Sequence, residues 1–141
     1  MIYMLLDEVL QSLGVKGDSP EWKRAKTQLY INLQIDTEKA EFFGGMAVKF
    51  CQKTIRGSVE IEEREGYVFT MPSGLLVVCV AVDDMPLTVV IERKLIRVVE
   101  ADTRLFSAEV HVKTNDDLFE LRVPKKQVGT LEKMINKVRN S

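Results

Sequence analysis

Between Tyr67 and Leu87 the chain reads Y-V-F-T-M-P-S-G-L-L-V-V-C-V-A-V-D-D-M-P-L, and this stretch constrains the fold more than any other. Proline lacks the N–H that a strand ladder needs and fixes its own φ, so Pro72 predicts a strand end and Ser73-Gly74 a corner. Leu75 to Val82 carries no charge, which suits a strand covered on both faces, by helices or by another subunit. Asp83-Asp84 ahead of Pro86 has turn composition, so this run is expected to pair antiparallel with Leu87 to Glu92.

The flanks change period twice. Ile2, Leu5, Leu6, Val9, Leu10 and Leu13 recur at helical spacing, with Gly14 placed to end the helix in a left-handed cap. Ser19 before Pro20, or Asp18 with Glu21, can cap a second helix predicted over Pro20 to Phe43, with Trp22, Ala25, Leu29, Leu33, Ala40 and Phe43 on one face. Trp22 reads as a core anchor, with an interface hot spot as the sharper alternative. The short turn between the helices predicts an antiparallel pair, and Gly44-Gly45 its stop.

From Met46 the apolar positions alternate: Val48 and Phe50, then Val59 and Ile61, then Val110 and Val112. Asn115-Asp116-Asp117 is expected to turn Glu109–Lys113 into Leu118–Val123. Arg93 to Arg104 fits a strand or an irregular link, with strand the preferred reading. After Pro124 the helical period returns in Val128, Leu131, Met134, Ile135 and Val138, a helix short enough to need a docking surface on its own domain or a partner. The expected fold is α+β in a single domain, 1–141. It comprises an N-terminal antiparallel helical pair over 1–45, a mainly antiparallel β-sheet over 46–124 and a short C-terminal helix over 125–141.

Chemistry is sparse. The lone His111 falls on the polar side of an alternating strand, which favours a solvated ring over catalysis. No zinc spacing, nucleophile elbow or phosphate loop is present, and Asp83-Asp84 and Asp116-Asp117 read as turns rather than cation ligands. No enzyme, cofactor or metal site is expected. Cys51 and Cys79 lie far apart, which fits free thiols in a reducing compartment. The apolar start meets Asp7 and Glu8 at once, so neither a secretion signal nor a membrane span is expected. A formal net charge of -1 argues against nucleic acid as the main ligand. The acids Glu60, Glu62, Glu63 and Glu65 and the bases Lys125, Lys126, Lys133, Lys137 and Arg139 form opposed patches, either solvated or pairing between copies.

Taken in order, a segment Leu5-Leu6-Asp7-Glu8-Val9-Leu10-Gln11-Ser12-Leu13-Gly14, a Y-x-x-x-x-P-S-G step, an apolar strand, an Asp-Asp-x-Pro-Leu turn and a late L-F-E-L-R-V-P strand resemble a known pattern. The chain resembles the head-tail adaptors of tailed bacteriophages, the family that includes the tail tubular A proteins. Phe42-Phe43 stands where that family is richer in aromatics, and Val68, Phe69 and Thr70 stretch its tyrosine-to-proline spacing. The resemblance implies a structural virion protein at the neck, made in the host cytoplasm. Its copies would form a ring, a dodecamer in the typical adaptor, between the portal protein and a tail or nozzle/stopper protein, with DNA passing through the lumen unbound. It further implies portal contact through Leu131, Met134, Ile135, Val138, Lys133 and Arg139. Contact between subunits would pair Glu60, Glu62 and Glu63 with Arg93, Lys94 and Arg97. The alternatives are another neck protein, a stopper or tail terminator, or a small partner-binding or regulatory domain.

Overall fold

Gly44-Gly45 opens a strand rather than closing a helix. In the computed structural model, which describes residues 2–56, 60–80 and 85–141, β1 (Gly44–Thr54) is followed by β2 (Ile61–Met71), β3 (Gly74–Cys79), β4 (Leu87–Glu92), β5 (Val98–Thr103), β6 (Ser107–Lys113) and β7 (Asp117–Pro124). Every neighbouring pair is antiparallel. The seven strands make one sheet in the order β4-β3-β2-β1-β7-β6-β5, so β7 returns to lie beside β1. Asp83-Asp84, Val59 and the end of the Leu75–Val82 run lie outside the described residues.

The corner at Pro72 forms as the sequence dictates. Gly74 has φ of +152°, and a Cβ there would meet the Ile91 carbonyl oxygen at 2.1 Å, so only glycine lets β2, β3 and β4 approach at this point. All of β3 is buried.

The N-terminal antiparallel helical pair and the α+β class expected from sequence are not what the structure shows. The molecule is mostly an antiparallel seven-stranded sheet carrying three short helices, α1 (Leu6–Ser12), α2 (Pro20–Leu33) and α3 (Val128–Arg139). Ser19 caps α2 by accepting the Trp22 N–H, with Pro20 at the first helical position. The helix stops at Leu33 because Gln34 turns left-handed, with φ of 56°, and the Ile35 N–H reaches back to the Leu29 carbonyl. Asp36 then holds a turn by accepting the Glu38 N–H. Past it the chain is extended: Phe42 and Met4 exchange backbone hydrogen bonds of 2.8 Å, and Phe42, not Phe43, is fully buried. The apolar stripe that seemed to run on to Phe43 thus mixed a helix with a strand edge.

What the two helices seek is the sheet. Leu6, Val9 and Leu10 of α1 and Trp22, Ala25 and Leu29 of α2 pack with Phe69, Leu76 and Val78, on one face of β2 and β3. Trp22 sits over Tyr67 and Phe69, with ring centroids 5.7 and 6.2 Å away, and so is a core anchor. On the other face, Val48, Phe50, Val68, Val77, Ile91, Val110, Val112 and Leu121 form one cluster with Leu131, Ile135 and Val138 of α3. Strands far apart in sheet order share this cluster, so the sheet curls around it and α3 fills the hollow. Arg93–Leu95 is a single 3-10 turn and β5 follows it, which makes Arg93–Arg104 part link and part strand.

Candidate functional site

Because α1 and α2 cover only the β2–β3–β4 half of the outer face, the outer surface of β1, β7, β6 and β5 is left for polar side chains. Alternation sends Lys49, Cys51 and Lys53 of β1, Glu120 and Arg122 of β7, and Glu109 and His111 of β6 to this surface. Register then aligns them: Lys49, Arg122 and Glu109 form one row across three strands, and Cys51, Glu120 and His111 the next.

Glu109 is the centre. It is 1 % exposed, with Oε1 accepting from Arg122 Nη2 at 2.9 Å and Nε at 3.2 Å, and Oε2 lying 2.8 Å from His111 Nε2. Arg104 stands 3.8 Å from Oε2. Burial opposes the charge on Glu109, but the His111 and Arg122 hydrogen bonds and the nearby guanidinium charges outweigh it and hold the carboxyl below its ordinary value. Arg122 also reaches Glu63 at 3.1 Å, and Lys53 pairs with Glu120 at 3.0 Å. The Cys51 thiol donates to Glu120 Oε2 at 3.5 Å. Burial, then the Glu120 charge and hydrogen bond, push that thiol up to about 11, so it is no nucleophile at neutral pH. Burial does the same to Cys79, also to about 11.

This network corrects the reading of His111 as a solvated ring. The histidine is half-buried and bonded to the buried carboxylate of Glu109. A findable signal existed: the Asn115–Asp117 hairpin, once accepted, sets Glu109 opposite Arg122 and His111 opposite Glu120.

A groove of about 600 Å3 adjoins the network, where β1 and β7 part company. Their pairing begins at Lys49↔Arg122, so Gly44 to Val48 of β1 has a strand partner on the β2 side alone. Ala47, Val48, Tyr67, Val80 and Val123 line the opening, with Lys49, Glu65 and Arg122 beside them. Phe106, in the β5–β6 turn, stands at its rim 87 % exposed, next to Leu105 at 78 %.

The residues expected to meet partners fall elsewhere. Leu131, Ile135 and Val138 are buried against their own sheet, so the chain itself supplies the docking surface sought for them, and their role in portal contact is corrected. Met134 is half-buried beside Gly44, Lys133 is exposed, and Arg139 donates to the Arg97 carbonyl at 2.6 Å. Arg93 bonds the Ser141 backbone oxygen, and Arg97 bonds the Lys94 carbonyl and Asn115. Arg93, Lys94 and Arg97 therefore gather with Arg139 at the β4–β5 corner, while Glu60 and Glu62 are exposed near the start of β2 and Glu63 is tied to Arg122. Among the described residues, no helix is long and apolar enough to cross a membrane.

No protein-family model, curated protein or solved structure matches the chain.

Proposed function

We propose that this protein is a non-catalytic interaction module that receives an extended segment of a partner protein in the groove between β1 and β7. The observation that carries this reading is the parting of the two strands. By the alternation of an antiparallel ladder, every second residue from Gly44 to Val48 turns its N–H and C=O toward the groove, where an added strand can bond them. Ala47, Tyr67 and Val123 offer apolar contact to alternate side chains of such a segment, and Lys49, Glu65 and Arg122 offer charged contact. Phe106 stands exposed at the rim, and Leu105 beside it in sequence is exposed too, an apolar pair that a bound segment could cover.

The test is selection of extended peptides from a display library on the full chain, with binding mapped by amide NMR shifts. Peptides of alternating apolar pattern that move the signals of residues 44–48 and 123 support the reading. No enrichment, or shifts confined to α2, ends it.

The head-tail adaptor is a second, more specific setting for such a module. It rests on the ordered sequence resemblance, one piece of which, the Y-x-x-x-x-P-S-G step, is the β2–β3 corner here. In that setting the occupant of the groove is a segment of a neighbouring copy, the portal or a tail protein. Native mass measurement with a portal protein decides it: a closed ring supports the adaptor, and a persistent monomer removes it while leaving peptide capture standing.

A further inference from the structure

His111, Glu120 and Cys51 are consecutive partners across β6, β7 and β1, and Glu109 lies two residues from His111 on the same face. Donor atoms of Glu109, His111 and Glu120 all fall within 4.8 Å of one another. The two carboxylates divide their oxygens in the same way. Glu109 gives Oε1 to Arg122 and turns Oε2 to His111 Nε2 at 2.8 Å; Glu120 gives Oε1 to Lys53 and turns Oε2 to Cys51 Sγ at 3.5 Å. In a tetrahedral zinc site, bonds of about 2.0 Å to nitrogen or oxygen and about 2.3 Å to sulfur place neighbouring donors roughly 3.2–3.6 Å apart. The Cys51–Glu120 separation already has this value and the His111–Glu109 pair needs to open by a few tenths of an ångström, while Cys51 Sγ, which lies outside the group of three mutually close donors and meets it through Glu120, has to swing toward His111 and Glu109 to complete the site.

We propose that Glu109 Oε2, His111 Nε2, Glu120 Oε2 and Cys51 Sγ form a binding site for a zinc-class divalent cation. Nitrogen, sulfur and carboxylate oxygen together are the donor set of zinc rather than of magnesium or calcium. Arg122 and Lys53 act as the outer partners that orient the two carboxylates. With the thiol ionised, the four ligands carry three negative charges; the cation, Arg122 and Lys53 more than balance them. Binding breaks the Cys51 S–H bond and the His111 Nε2–H bond that faces Glu109: the sulfur proton leaves to solvent as the metal–sulfur bond forms, and the ring exchanges its Nε2 proton through solvent for one on Nδ1, so His111 ligates as the neutral tautomer. All four positions are filled by protein, so the ion would tie β1, β7 and β6 together rather than activate water.

Titration of the full chain with Co2+ near neutral pH tests this. One equivalent should give the intense visible bands of a tetrahedral site and a near-ultraviolet thiolate charge-transfer band, and Zn2+ should erase both. Cys51→Ser should remove the charge-transfer band, His111→Ala and Glu120→Gln should weaken binding about tenfold or more, and Cys79→Ser should change nothing. Circular dichroism of each variant separates loss of ligand from loss of fold. A spectrum that stays that of aqueous Co2+ with the folded wild-type chain, or a charge-transfer band that survives Cys51→Ser, overturns the site and leaves the cluster an ion-pair network only.

Discussion

β3 and β5 are strands of six residues each in one sheet, yet they live in different solvents. Every residue of β3 is buried, whereas β5 is exposed from Glu100 to Thr103. β3 lies between the α1–α2 layer and the cluster around α3; β5 has helix on one side, water on the other and an open edge. Its Glu100 and Asp102 place charge along that edge, which discourages pairing with another sheet. The lesson is that the covered half of the sheet holds the fold and the open half is free to carry polar arrangements and a groove.

Substitutions can break this contrast, and the largest effect belongs under the helices. Phe69→Ala removes a ring that meets Trp22, Phe42 and Tyr67, and should cost about 3–5 kcal/mol in urea unfolding. An equal loss from an exposed β5 substitution such as Ala101→Gly would mean that the halves are not energetically distinct.

Next comes Glu109, the one deeply buried charge of the open half among the described residues. Glu109→Gln leaves Arg122 and His111 without their anion and should cost about 2–3 kcal/mol, less than a fully enclosed pair because Arg122 is partly solvated. The same residue sets a pH dependence. Its folded pKa is depressed, so the stability it contributes is present above the unfolded value near 4.5 and is lost as pH falls through the lower folded value. Acid titration of stability should therefore flatten in Glu109→Gln; an unchanged slope would place the acid-sensitive group elsewhere.

Smaller effects sharpen the comparison. Ser19→Ala removes the α2 cap and should cost about 1 kcal/mol, read as loss of helix signal before the sheet melts. Phe106→Ser should shift stability by less than about 0.5 kcal/mol while weakening peptide capture. A large stability loss there would make the rim part of the core.

Legibility did not follow that division. In the covered half, Leu75–Cys79 is apolar on both faces, so its need for two layers could be read directly, as could the Pro72 corner; in the open half the Glu109–Lys113 hairpin was equally legible. The helical pair misled because Ala40 and Phe43 continue the spacing of Leu29 and Leu33 by coincidence, and spacing carries no mark of the left-handed Gln34 that ends the helix. The C-terminal stripe was correctly read as needing cover, but periodicity cannot tell its own sheet from a partner. The Glu109 cluster was hidden for another reason. Its members come from three strands: the β6–β7 hairpin sets Arg122 opposite Glu109, but Cys51 and Lys53 join them only through the return of β7 to β1.

That return also governs how the sheet is completed. A ribosome delivers β1 well before β7, so one flank of the middle strand has no mate while β2 to β6 are being made. The middle of this architecture is closed last, by a long-range event of high entropic cost, and the nascent chain carries its seam unsewn until then.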